Sequence, residues 1–264
     1  MIAIRASSLP ELFDCPARWE AKNLNRLRLP TGGAAQIGTA VHAGTAAFDQ
    51  ARIDGSCLTA DDAAGAVVDV IHQPAGEVDW NGSDWTPQTA EKVAIALHKK
   101  YCGEVAPSID YLAVESDAGR LEISDVGIAL TGHIDRVYTD ESGKIGIADL
   151  KTGKNAVSAD GTVNTAGHAA QLAVYELLAE SALDQPVQAP AVIIGLQTAK
   201  TEKGQRVGVG KINAAREILV GNEHQPGLLD AAAGMLKSGV FYGNPRSGLC
   251  SKKYCPAWSI CRWR

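Results

Sequence analysis

Helical periodicity before Pro107, short β-branched runs after it and a return to helix beyond Lys211 predict an α/β domain with a helical N-terminal extension. With 264 residues, 45% hydrophobic and 21% charged, the chain suits one large domain or two small ones, and it buries enough apolar surface to fold without disulfides. No stretch approaches about 18 uninterrupted apolar residues, which excludes a transmembrane helix. The opening segment meets Arg5 and Pro10 too early for a secretory signal, so a cytoplasmic location is expected.

The elements follow in order. Ser7 and Ser8 offer a hydroxyl cap, Pro10 an early proline and Glu11 an acid in the first turn, which predicts a helix to about Leu24 carrying Cys15 and Trp19. A basic loop with Arg26 and Arg28 breaks it. Residues 34–52 read as an Ala-rich helix with Ile37, Ala40, Val41 and Phe48 on its buried stripe. Helices near 59–73 and 87–103 flank a polar loop containing Trp80 and Trp85. Strands are expected at Tyr111–Glu115, Leu121–Ser124, Gly127–Tyr138 and Lys144–Lys151, with hairpin turns at Asp117-Ala118-Gly119, Asp125-Val126-Gly127 and Asp140-Glu141-Ser142-Gly143. A linker over 154–166 leads to a helix from about Gly167 to Ala182. A buried strand Pro190–Gln197, a hairpin through Glu202-Lys203-Gly204 and helices near 211–221 and 224–238 complete the chain before a cysteine-rich tail. Gly208-Val209-Gly210-Lys211 lacks the spacing and the Ser/Thr of a phosphate-binding loop, which argues against an ATP-driven motor.

Charge alone points away from nucleic acid: the formal net charge is −5 and the pI about 5.7. The chemistry-bearing residues point the other way. In Ile147-Ala148-Asp149-Leu150-Lys151-Thr152-Gly153, strand alternation sends Asp149 and Lys151 to one face. Asp135 lies fourteen residues earlier, near another strand end, so an antiparallel hairpin brings the two carboxylates together. Paired carboxylates suit Mg²⁺ or Mn²⁺, and a neighbouring ammonium suits negative charge developing at phosphorus. Taken alone, Asp149-Leu150-Lys151 is also an ordinary polar strand terminus. His42, on the second long helix, is a ligand better matched to Mn²⁺ than to Mg²⁺. Glu115, ending the first expected strand, offers a further carboxylate or an acceptor for a basic side chain, ranked below His42. Gln171 and Tyr175, spaced i and i+4, share a helix face.

Gly38 with His42, Gly132-His133-Ile134-Asp135, Asp149-Leu150-Lys151-Thr152-Gly153 and Gln171 with Tyr175 occur in an order that resembles the RecB-type branch of the PD-(D/E)XK nuclease superfamily. The resemblance spans nearly the whole chain. It implies a restriction-endonuclease-like core, a mixed central sheet flanked by helices. It also implies that His42, Asp135, Asp149 and the Leu150 carbonyl bind metal, that Lys151 is the catalytic lysine, and that Gln171 and Tyr175 contact DNA; Glu115 joins Asp135, Asp149 and Lys151 in the expected catalytic set on its carboxylate alone.

The tail carries Cys250-x4-Cys255-x5-Cys261, three soft ligands, with Cys15 as the natural fourth. Four thiolates suit zinc or an iron–sulfur cluster, and unligated thiols are the plain alternative. The three-plus-one layout resembles iron–sulfur-stapled RecB-like nucleases, including those of CRISPR adaptation, although many members place the first two tail cysteines closer together. That implies a structural [4Fe–4S] cluster. Cys57 and Cys102 read as core thiols. Arg26 and Arg28, then Lys200, Lys203, Arg206 and Lys211, then Lys252, Lys253, Arg262 and Arg264 form basic groups that would track phosphates if they share a cleft. Trp19, Trp258 and Trp263 would stack on bases or pack around the cluster.

The organisation expected is one integrated unit: residues 1–106 helical with Cys15 and His42, 107–240 the nuclease core, and 241–264 a tail closing onto the N-terminus. The function expected is a Mg²⁺- or Mn²⁺-dependent deoxyribonuclease, an exonuclease on single-stranded or frayed ends, in DNA repair, recombination or CRISPR adaptation of a phage or prokaryote. A homo-oligomer or recombination and CRISPR-adaptation proteins are the partners considered. The rivals are a non-catalytic DNA-end-binding adaptor on the same fold and a zinc-stapled phosphoesterase.

Overall fold

In the computed structural model, which describes residues 1–82 and 84–264, six strands form one mixed sheet with helices on both faces. The strands are β1 (Ile2–Arg5), β2 (Asp110–Ile123), β3 (Ile128–Thr139), β4 (Ile145–Gly153), β5 (Ala191–Gln197) and β6 (Arg206–Ile212). The helices are α1 (Leu9–Asp14), α2 (Pro16–Asn23), α3 (Gly33–Ile53), α4 (Ala60–His72), α5 (Pro87–Glu104), α6 (Ala169–Leu183), α7 (Ala215–Val220) and α8 (Leu228–Ser238). β5 is buried along its whole length and apolar on both sides, so it sits mid-sheet. Its alternation sorts the two cores. Ala191 and Ile193 pack with α1, α6, α7 and α8, whereas Val192, Ile194 and Leu196 pack with α3, α4 and α5. Among the described residues, no helix is long and apolar enough to cross a membrane.

The pairing of β3 creates the fold's working feature. β2 runs antiparallel to β3 from Asp110 opposite Thr139 to Ile123 opposite Ile128, and so occupies one edge throughout. The other edge is shared end to end. β1 pairs in parallel with residues 128–131, and β4 pairs antiparallel with residues 136–139. Residues 132–135 are thus left at a fork. Gly132 makes the fork habitable, since a Cβ there would sit 2.8 Å from Tyr175 Cε1 and 2.9 Å from Leu178 Cδ1 of α6.

Several local expectations need revision. The helix expected to Leu24 breaks at Cys15, whose extended backbone (φ −149°, ψ 91°) separates α1 from α2, and Pro16 restarts the helix at its first position. Asp117-Ala118-Gly119 is a bulge inside one long β2, not a hairpin turn, because β3 continues to pair on either side of it. Lys211 and Ile212 belong to β6, so the helix expected near 211–221 shrinks to α7. β1 was not anticipated at all. Its four residues show no long alternating pattern, and its partner lies 126 positions away, Ile2 opposite Ile128.

The 154–166 linker packs against the sheet over a path of glycines. A Cβ on Gly195 would lie 2.8 Å from Val157 Cγ2 and 2.9 Å from the Ala156 carbonyl oxygen, while Gly208 and Gly210 lie under Val163 and Thr165. Gly195→Val is expected to cost about 1–3 kcal/mol by overpacking against backbone that cannot retreat, read as a lower urea midpoint with an unchanged slope.

Candidate active site

At the fork, three groups converge. His42 Nδ1 lies 3.6 Å from Glu115 Oε1 and 3.7 Å from Asp135 Oδ2. Ligand atoms from His42, Glu115 and Asp135 all fall within 4.8 Å of one another. His42 Nε2 lies 3.1 Å from the Leu150 carbonyl oxygen, and the Leu150 N–H donates to Asp135 Oδ2 at 2.9 Å. Glu115 reaches the group from an unusual backbone conformation (φ 46°), the kind of strain that persists where the surroundings over-determine it. Its second oxygen, Oε2, faces His133 Nε2 at 3.2 Å.

Asp149 is 1% exposed and lies on the α6 side of β4. Lys151 Nζ pairs with Asp149 Oδ2, and the Gln171 amide donates to Asp149 Oδ1 at 3.2 Å and to the Tyr175 hydroxyl at 3.0 Å. β3–β4 pairing places Arg136 opposite Ala148, so Asp135 and Asp149 approach across the hairpin as their positions predicted. Burial pushes Asp149 up to about 6; the Lys151 ammonium opposes this and the Asp135 charge adds to it. Burial would lower the His42 imidazole, but its Glu115 hydrogen bond and the Asp135, Glu115 and Asp149 charges outweigh that and raise it. Burial would raise Glu115, and its His42 hydrogen bond with the His42, Arg136 and His133 charges instead brings it below the usual range. The site is thus rich in anionic oxygen with one imidazole and one carbonyl, a donor set that fits a hard divalent cation such as Mg²⁺ or Mn²⁺.

A sequence model of the PD-(D/E)XK nuclease superfamily matches residues 4–262. The chain belongs to that superfamily. Among solved structures, this nuclease is similar to a candidate exonuclease of Eubacterium rectale, 14% identical, at a TM-score of 0.50 over 94% of this chain and 86% of that one. It also aligns with SSO0001 at 13% identity and a TM-score of 0.44, over 98% of this chain and 85% of that one. At such identities the likeness to the Eubacterium rectale protein bears on the fold alone, which is the expected restriction-endonuclease-like core. No protein of curated description matches the nuclease.

The sequence-predicted residues of the nuclease divide into two subsets. His42, Glu115, Asp135 and the Leu150 carbonyl form one cluster, in which Glu115 stands closer than its low ranking implied. Asp149, Lys151, Gln171 and Tyr175 form the other. Gln171 and Tyr175 are buried, 8% and 5% exposed, and grip Asp149 instead of standing free in solvent.

Sequence reasoning missed the polar network beneath the site. Arg136, wholly buried, donates to Asp49 Oδ2 at 2.8 Å, Thr45 Oγ1 at 3.1 Å, Glu115 Oε1 at 3.3 Å and the Asp135 carbonyl at 2.7 Å. Tyr101 OH donates to Asp49 Oδ2 and lies 3.0 Å from Tyr111 OH, from which it can accept. The network ties α3, α5 and β2 to the His42, Glu115 and Asp135 cluster. An Asp on the Ala-rich helix face of α3 was the one available signal.

The four thiols singled out in the sequence meet. Cys15, Cys250, Cys255 and Cys261 line one cavity with Trp258 and Trp263. The Asn244 N–H donates to Cys15 Sγ at 3.4 Å, and Asn244 Nδ2 donates to the Asp14 carbonyl at 2.9 Å, fastening the tail to the α1–α2 junction. Burial raises Cys255 and the Ala257 N–H opposes it, while neighbouring Cys15 and Cys261 raise it further. Cys102 is a core thiol as expected, but Cys57 is exposed, because the segment after α3 turns outward. Trp19 is fully buried and stacked on Phe241 at 6.0 Å, so it packs and does not meet bases. Of the basic groups, Lys200 lies over the Trp85 ring at 5.7 Å, and Arg206 donates to the Val157 carbonyl at 3.1 Å.

Two outcomes are expected for the metal-free protein. Arg136→Met strands the buried Asp49 charge and costs about 3–5 kcal/mol in guanidinium unfolding, most of which Asp49→Leu in the same chain restores. Asp149→Asn stabilises the metal-free protein at pH 8. The folded state holds its proton up to about pH 6, against 3.8 for an ordinary aspartate, so this carboxylate costs stability increasingly as pH rises through that window. The gain therefore disappears towards pH 4, which urea midpoints taken across the range in EDTA measure.

Proposed function

We propose that this nuclease is a Mg²⁺- or Mn²⁺-dependent deoxyribonuclease, an exonuclease acting on single-stranded or frayed DNA ends, stapled by a structural [4Fe–4S] cluster. The observation that carries the reading is the buried Asp149–Lys151 pair set beside the His42, Glu115 and Asp135 cluster at the sheet fork. His42, Asp135, Asp149 and the Leu150 carbonyl would hold the divalent cation. The chemistry such a cation supplies when bound is polarisation of a phosphoryl oxygen and a water of lowered pKa. Lys151, half-exposed beside its buried partner, faces the charge that builds on phosphorus and orients the attacking water. Gln171 fixes the Asp149 carboxylate from one side, and Tyr175 fixes Gln171. The water oxygen bonds to phosphorus, the bond to the 3′ oxygen breaks, and that oxygen leaves with a proton, giving a 5′-phosphate and a 3′-hydroxyl. The exonuclease name carried by the Eubacterium rectale protein is in line with this mode of action.

Four thiols around one cavity, with a backbone amide on one sulfur, fit a cluster. Four thiolates would also hold zinc, which the metal analysis below separates from the cluster.

Asp149→Ala and Lys151→Ala are each expected to lower Mn²⁺-dependent hydrolysis of end-labelled single-stranded DNA on the order of 10²-fold or more. Equal rates for wild type and Asp149→Ala overturn the assignment. Circular single strands should survive, and their linearisation overturns the exonucleolytic mode. Anaerobically purified protein should contain iron and acid-labile sulfide with broad visible absorbance, which Cys255→Ser removes; zinc without iron excludes the cluster.

A further inference from the structure

The basic tail groups have no part in the chemistry above, yet charge is distributed very unevenly along this chain. Beyond Asp230 there are six cations, Lys237, Arg246, Lys252, Lys253, Arg262 and Arg264, and none of the 30 acids. Residues 231–264 therefore carry +6 within a chain of net −5. All six are exposed. Asp14 of the docking segment is engaged by Arg18 Nη2 at 3.2 Å and by the Ser247 hydroxyl at 2.7 Å, and none of the tail cations forms an ion pair among the described residues.

The tail cations are also arranged on aromatic faces. Lys253 Nζ stands 5.5 Å from the Tyr254 ring centroid, Arg262 4.9 Å from Trp263 and Arg264 5.2 Å from Trp258. Tyr254 and Trp263 are 49% and 41% exposed, and Ile260 beside them is 76% exposed. Cation and ring thus alternate over a surface that the thiol cavity and the Asn244 contacts hold against α1 and α2.

We propose that the tail, residues 241–264, is the surface on which a single-stranded nucleic acid lies, with its phosphates on Lys252, Lys253, Arg262 and Arg264 and its bases on the exposed rings. A polyanion matches the charge, and only a single strand also offers free base faces to aromatic rings. A duplex hides those faces, and a lipid headgroup has none. The proposal rests on the deoxyribonuclease reading but concerns affinity, not cleavage.

Binding of a 20-nucleotide oligothymidylate is measured by fluorescence anisotropy in Ca²⁺, at several salt concentrations. The variant K252E/K253E/R262E/R264E should bind at least tenfold more weakly, with a shallower salt dependence, each lost phosphate contact removing about 0.7 from the slope. Tyr254→Ala, which does not line the thiol cavity, should weaken oligothymidylate but not heparin, and Tyr254→Phe should restore it. Hydrolysis of thymidine 5′-(p-nitrophenyl phosphate) in Mn²⁺, a substrate too small to reach the tail, should keep its kcat/KM in all variants. Unchanged oligothymidylate affinity and slope in the charge-reversed protein overturn the proposal, as does tighter binding to duplex or to phosphatidylserine vesicles. Absent hydrolysis of the small ester by wild type strikes the deoxyribonuclease reading and leaves the binding result to judge the tail.

Discussion

The fork in the sheet is the constraint on which the rest depends. β3 shares one edge between β1 and β4, so β4 parts from β3 beyond Ala148 and the backbone of Leu150 has no β3 neighbour on that side. Buried backbone groups need partners, and the side chains at the fork supply them. Asp135 takes the Leu150 N–H, and His42 approaches the Leu150 carbonyl. The groups that repair the interrupted ladder are the same ones proposed above to hold a cation, so site and fold would share one set of atoms.

Concentrating carboxylates at such a place raises their energy, and the surroundings show how this is contained. Asp149 is held by Lys151 and Gln171, and Glu115 by His42, His133 and Arg136. Arg136 is itself buried and is balanced by Asp49, whose carboxyl burial raises and whose Arg136 and Tyr101 partners draw back down. Buried ion pairs contribute little net stability but are costly to break. Here the pair's evident use is geometric: it links α3 to β2 and β3 directly behind the His42, Glu115 and Asp135 cluster.

Much of the fold was legible. Helices α3, α4, α5 and α6 lie within a few residues of their periodic patterns, and the Asp140–Lys144 turn forms where its residues predicted. What was misread depended on distant neighbours. Asp117-Ala118-Gly119 has the composition of a turn, yet β3 keeps both flanks paired and reduces it to a bulge. The negative net charge likewise misled, because it averages an acidic fork with a tail free of acids.

Local chemistry in the sequence determined the ordered residues of the site, since Asp149 and Lys151 must share a strand face and Gln171 and Tyr175 a helix face. It also determined that Cys250, Cys255 and Cys261 lie close together. Only the tertiary structure decided that Cys15 joins them, that Glu115 stands with His42 and Asp135, and that Arg136 and Asp49 lie beneath. Each of these depends on contacts across dozens to hundreds of residues, and such contacts are set by how the helices pack on the two sides of the sheet, which no local pattern records.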